Sequence, residues 1–279
     1  MTALLALASA LIIGGSDFSG GVATKGDSTF RVTAVAQISG GLVAIVLVLV
    51  VGWDHVRTAD LVGGAIAGAS GTFSFICFYR ALSTGVMSIV APTTAVVGAT
   101  IPALVGIARG DDLGGYTIVG LVVAVFAIVL VTREPTVDAA ASTPRSAILL
   151  AVVAGVGFSV FFIALEATET ESGMWPLVVA RVVSVPVVCL IAWRITGRVV
   201  PANRRSLTLA IYTGLTEMLA NALLLVALRR DELAIASVFG SLYPVSTVLL
   251  AWLILRERLT RMQLIGVASA LSAVALVAI

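Results

Sequence analysis

The chain has 279 residues, of which 59% are hydrophobic and only 11% charged, and a formal net charge of +2. Its mean hydropathy of +1.13 exceeds what a domain with a solvated surface carries, which excludes a soluble fold and indicates a membrane one. The few basic residues are scattered over short loops, so there is no stripe for nucleic acid to bind.

A hydrocarbon core about 30 Å thick needs about 20 residues of helix. Stretches near 3–24, 31–53, 59–82, 86–107, 114–132, 147–166, 174–195, 206–228, 233–255 and 262–279 meet that length, so the sequence predicts an all-α membrane protein with ten transmembrane helices. Their apolar residues do not alternate as in barrel strands. The first stretch, "MTALLALASALIIGG", lacks the basic start of a signal peptide and continues through Asp17 to Lys25, so it reads as a spanning helix. The second carries Gln37 at depth. The loop after it, "GWDHVRTAD", holds His55 without companion histidines, a solvated loop residue by this reading.

The third span contains Gly64-x-x-x-Gly68, a spacing for close helix contact. Cys77 in this span and Cys189 in the seventh have neither disulfide nor metal-ligand spacing, and no metal or cofactor is expected. Gly98 and Pro102 interrupt the fourth span, Pro186 the seventh and Pro244 the ninth; these are candidate hinges, with close packing as the alternative. A polar stretch rich in Pro, Ala, Ser and Thr, "TREPTVDAAASTPRSA", follows the fifth span and reads as a linker near the midpoint. Glu166, Glu169 and Glu171 after the sixth span read as a solvated acidic rim.

The second half repeats the first. An offset of 146 pairs "ALSTGVMSIV" (81–90) with "ALRRDELAIA" (227–236), Asp111-Asp112-Leu113 with Glu257-Arg258-Leu259, Gly120 with Gly266 and Gly98 with Pro244, all without a gap. Offsets of 140 to 144 pair "DFS" (17–19) with "GFS" (157–159) and Gln37 with Arg181. Five spans is an odd number, so a tandem copy enters the membrane from the other side. The expected organisation is two inverted five-helix repeats, 1–132 and 147–279, joined by a linker at 133–146.

Three features carry a resemblance: the Tyr79-Arg80-Ala81-Leu82 run leading into "STGVMSIVAPTTAVVGATIPAL", the matching "ALRRDELAIASVFGSLYPVSTVLLAWLILRERLTRMQLIG" at 227–266, and the first helix "GGSDFSGGVATK". Together they resemble the ten-helix, EamA-type members of the drug/metabolite transporter superfamily. The first half departs from that pattern, with Asp111-Asp112 where Glu-Arg is usual and Gln37 where an arginine is common. The resemblance implies transport of metabolites such as amino acids, sugars, nucleotide-linked compounds or drugs, and names no substrate.

An acidic or basic residue at a spanning helix's centre costs about 2.5 to 3.5 kcal/mol, so Glu217 and Arg181 need a reason to be there. Thr213, Thr216, Glu217 and Asn221 share one face of the eighth span, which must look into the bundle or a wet cavity. Arg181 needs an anion, whether Glu217, Asp17 or a substrate carboxylate or phosphate. A permanent ion pair that only holds helices together is the alternative. A Glu217 without a permanent cation beside it could bind a proton and an amine-bearing substrate in turn, coupling export to a proton gradient. Asp17 reads equally as a cavity rim or a binding group, Gln37 as a substrate or interhelical hydrogen-bonder, and Tyr243 as a cavity hydroxyl or a packing ring.

Loops after odd-numbered spans hold twelve Lys and Arg and the others four, which places the termini outside by the positive-inside rule. The expected function is a secondary transporter or exporter of small polar or amphipathic solutes by alternating access. It would sit in the cytoplasmic membrane, with a solute, the lipid bilayer and protons as partners, as a monomer or homodimer. An intramembrane enzyme using Glu217 and Asp17 as catalytic carboxylates is the rival, disfavoured by the absence of clustered His, Cys or Ser-Lys chemistry.

Overall fold

The computed structural model describes the chain except residues 85–86, 112–113, 132–143, 231–232, 256–259 and 279. Most of the expected linker and the Glu257-Arg258-Leu259 turn therefore lie outside the described residues. The rest forms α1 (Thr2–Gly26), α2 (Thr29–Val51), α3 (Thr58–Thr84), α4 (Met87–Arg109), α5 (Gly115–Val131), α6 (Arg145–Glu166), α7 (Trp175–Thr196), α8 (Arg204–Leu228), α9 (Leu233–Gly240), α10 (Tyr243–Leu255) and α11 (Arg261–Ala278), with a 3-10 turn at Thr170–Ser172. No strand occurs among the described residues. This is the architecture lipid imposes, because a helix satisfies its own backbone polar groups. α1, α2, α3, α6, α7 and α8 are each long and apolar enough to cross a membrane, and shorter apolar helices account for the others.

The expected ninth span, 233–255, is divided. α9 ends at Gly240 and α10 begins at Tyr243, with the Ser241 N–H donating to the Ser237 carbonyl at 3.1 Å and the Leu242 N–H to that of Phe239 at 3.2 Å. Pro244, expected inside a continuous span, instead occupies the first turn of α10, where its missing N–H leaves no helical bond unmade. α4 runs unbroken through Gly98 and Pro102, and α7 through Pro186.

α1 packs along α8 and α3 along α6; α2 crosses α8 and α7 crosses α3; α4 lies on α6 while α9 and α10 lie on α1. α2 also meets α7, α4 meets α9, and α5 meets α11. The core is largely alanine, filled out by Leu165, Leu177, Met218, Leu225 and Phe239. Leu42, Leu49, Val50, Phe73, Val122 and Leu149 are exposed, forming the outer surface that acyl chains would cover.

Small residues let helices approach closely. A Cβ on Gly68 would lie 2.7 Å from Ala180 Cα in α7, and one on Gly214 would lie 2.7 Å from the Ala36 carbonyl carbon in α2. Hydroxyls strap α1 to α8 at regular steps. Ser9 Oγ donates to the Ala220 carbonyl at 2.8 Å, Ser16 Oγ to that of Thr213 at 3.0 Å, and Ser206 Oγ to that of Ala23 at 2.9 Å. The steps are seven residues on each helix, so every strap falls on the shared face.

Acidic residues fasten loops at both ends. At one end, Asp27 accepts backbone N–H bonds from Ser28 at 2.6 Å and Ala202 at 2.7 Å, and pairs with Arg31 at 3.0 Å. Burial alone would raise the Asp27 carboxyl, but the Ser28, Ala202 and Asn203 N–H groups and Arg31 together hold it below the usual range. This joins the α1–α2 and α7–α8 loops. At the other end, Asp60 accepts the Glu169 N–H at 2.8 Å, and Arg57 pairs with Glu169, joining the α2–α3 and α6–α7 loops. Arg109 pairs with Glu166 at 2.7 Å, and Asp111 accepts the Ala234 N–H at the start of α9 at 2.9 Å. Arg229 donates to Thr168 Oγ1 at 2.8 Å, to Ser172 Oγ at 2.9 Å and to the Gly173 carbonyl at 2.8 Å. Burial pushes Arg229 down to about 10, against Asp60 and Glu171, so it stays cationic near neutral pH. The expected acidic rim is thus in part ion-paired. With Thr168 and Arg229, its three glutamates line a polar pocket of about 280 Å³.

Candidate functional site

Where α2, α7 and α8 meet, two glycines of α2 lie against the Arg181 side chain. A Cβ on Gly40 would sit 3.6 Å from Arg181 Nη2, and one on Gly41 would sit 3.7 Å from Arg181 Cβ. Arg181 is 8% exposed and Gln37 5%, so bonds between them are formed out of bulk water. Arg181 Nη1 donates to Gln37 Oε1, Arg181 Nη2 donates to Glu217 Oε1 at 2.9 Å, and Ser184 Oγ donates to Gln37 Oε1 at 3.0 Å. Arginine has no acceptor atom, which fixes the amide with its oxygen toward Arg181. The Gln37 amide nitrogen then has no hydrogen-bond partner among the described residues. It is not sealed from water as the unsatisfied Trp175 indole N–H is.

Glu217 therefore has a cation beside it, and the condition under which it was expected to exchange a proton is not met in this arrangement. The neighbouring carboxylate Asp17 has no cation partner among the described residues. It lies within electrostatic reach of Glu217 and is closely surrounded by protein, yet part of its surface is exposed. At 100° per residue, Ala6, Ala10, Asp17 and Gly21 fall within about 60° of one another on α1, about 120° round from the outer face of Leu4 and Leu11. Ala6 and Ala10 are buried in the core, whereas a Cβ on Gly21 would meet nothing within 4 Å. This face of α1 is thus packed in its first half and exposed around Asp17 and Gly21.

Thr213 bonds Ser19 Oγ at 2.7 Å, in the α1–α8 interface. Asn221 is half-buried one turn beyond Glu217. Tyr243 is half-buried at the first residue of α10, beside the interruption. Gly98 and Pro102 are buried in α4, with the space beside Gly98 filled by Gly155 and Phe158; Pro186 is exposed and Pro244 buried. Sequence reasoning passed over Ser184 and Asp111. Ser184 was signalled by standing three residues beyond Arg181, on the same helix face. Asp111 was noted only as part of a repeated turn.

These observations amount to a charged, hydrogen-bonded cluster inside an apolar helical bundle, with one further carboxylate, Asp17, exposed beside it. The family model described as the EamA-like transporter family matches residues 1–133 and again 145–279. The chain belongs to the EamA-like transporter family. As a member it is an integral, multi-pass membrane protein of a family that carries small molecules. No curated protein matches this EamA-like chain. A solved crystal structure resembles it at 17% identity with a TM-score of 0.69, over 100% of this chain and 98% of the other, a likeness of fold alone.

Proposed function

We propose that this EamA-like protein is a secondary transporter that carries a small polar or amphipathic solute across the cytoplasmic membrane by alternating access. The observation that carries the reading is the Arg181–Gln37–Glu217 cluster with Asp17 beside it, unpaired with any cation among the described residues, because ionisable groups inside a membrane bundle are costly unless they serve a pathway.

Two inverted halves, 1–132 and 147–279, are supported by the way contacts exchange. α1 on α8 corresponds to α6 on α3, α2 on α8 to α7 on α3, and α4 on α6 to α9 and α10 on α1. Gly68 against Ala180 corresponds likewise to Gly214 against Ala36. The first loop of one half shares an end with the second loop of the other, as inversion requires. Gln37 and Arg181, matched by the repeat, touch each other, as residues beside a two-fold axis would. The interruption at Ser241–Leu242 gives α9 and α10 a place to bend. Asp17 is the carboxylate open to a proton, and the count of basic residues favours external termini.

The test is flux. Purified protein in liposomes should release a trapped solute chemically unchanged, with the protein-free liposomes retaining it. Release only as an altered product would replace transport with catalysis.

A further inference from the structure

Building on the transport reading, we infer that the solute carries a protonated amine together with a hydrogen-bond acceptor, the amine held by Asp17 and the acceptor by the Gln37 amide N–H. Three observations converge on this. Arg181 is already bonded to Glu217 and Gln37, so it offers no bare cation to an anionic solute and acts as a positioning residue. Glu217 is neutralised by that pairing, which leaves Asp17 as the cluster's carboxylate free to meet a cationic group. The Gln37 side chain is buried at 5% exposure, and its amide nitrogen remains an unspent donor among the described residues.

The chemistry is one-sided. The repeat register sets Gly157 opposite Asp17, Gly71 opposite Glu217 and Phe75 opposite Asn221, and Phe75 packs edge to face on Phe158 at 5.2 Å. Asp17 of the first half and Glu217 of the second lie on the packed pair α1–α8, and neither has an acidic counterpart at its matched position, which fits a solute with a single cationic group better than a symmetric dication. An anion would instead confront the Asp17 carboxylate with Arg181 already paired to Glu217.

The test uses the full chain in detergent and three ladders of probes matched in length: ω-hydroxyalkylamines, diols and hydroxycarboxylates. The amines should raise the unfolding temperature and bind by calorimetry, while the diols and hydroxycarboxylates do neither. Asp17→Asn should weaken amine binding about ten- to hundred-fold, the range for a lost charge-assisted bond. Should Asp17→Asn misfold, Gly21→Leu, whose side chain enters open space beside the carboxylate, should weaken the same binding without removing a charge. Equal stabilisation by diols or hydroxycarboxylates, amine affinity that survives both substitutions, or no response to any amine would overturn the inference. Flux of the same amines in liposomes separates the two claims. Binding without flux rejects transport and keeps the amine site, and flux of a non-amine solute without amine binding does the reverse.

Discussion

Arg181 of α7 donates to Gln37 of α2, two residues that the internal repeat assigns to the same position in different halves. One guanidinium thereby joins the helices that cross at the middle of the bundle and also holds Glu217 of α8 at 2.9 Å. Arg181→Met should destabilise the protein by about 3–5 kcal/mol, since it leaves a carboxylate uncompensated. Adding Glu217→Gln should restore much of that loss. Unfolding midpoints of the two single variants and the double variant measure the coupling, and additive losses would mean the pair is not energetically linked.

Proton dependence should follow Asp17. Asp17→Asn is expected to flatten the pH profile of liposome flux, whereas Glu217→Gln, altering a group already held by Arg181, should preserve the profile's shape while lowering its height. The opposite assignment would return the proton to Glu217.

Packing at the crossings should be intolerant of bulk. Gly68→Val and Gly214→Val each drive a side chain into the backbone of the neighbouring helix, and a loss of about 1–3 kcal/mol is expected for such overpacking. Gly21→Ala is the control, because its Cβ meets open space. Thermal unfolding of the three variants in one detergent settles the order.

Asp27 predicts an acid limb. Its folded carboxyl titrates below the usual value of 3.8, so it contributes stability above that value, and the contribution is lost as pH falls through the lower, folded value. Asp27→Asn should therefore lower stability at neutral pH and flatten the acid limb of a stability-versus-pH curve. A parallel downward offset across the whole range would remove Asp27 from that limb.

Asp111→Ala removes the acceptor at the start of α9, with an expected cost of about 0.5–2 kcal/mol, as for other helix caps. Hydrogen exchange should rise in α9 before it rises in α8. Unchanged α9 protection would show that the bond is not needed to hold that half-helix.

Much of this was legible in the sequence because a lipid environment leaves few options. Length and hydropathy place the helices, and the offset register matches Gln37 to Arg181, the two residues that touch. Other features depend on packing that no single stretch encodes. Whether Glu217 finds a cation depends on how α7 meets α8, and helix position gave Asp17 a depth without saying which part of its face stays open. The divided ninth span was misread because Pro244 drew attention as a kink, when proline tolerates the first turn of a helix and the interruption precedes it. Ser9, Ser16 and Ser206 looked unremarkable singly, since their seven-residue steps matter only once α1 lies antiparallel to α8.

Those straps have a mechanical corollary. Each ties α1 to the main chain of the helix bearing Glu217, so sliding one helix past the other would break several bonds at once with no water to replace them. The pair therefore behaves as a single rail, and Asp17 and Glu217 ride on it at constant separation. Whatever rearrangement exposes the cargo to the opposite compartment must happen around that rail.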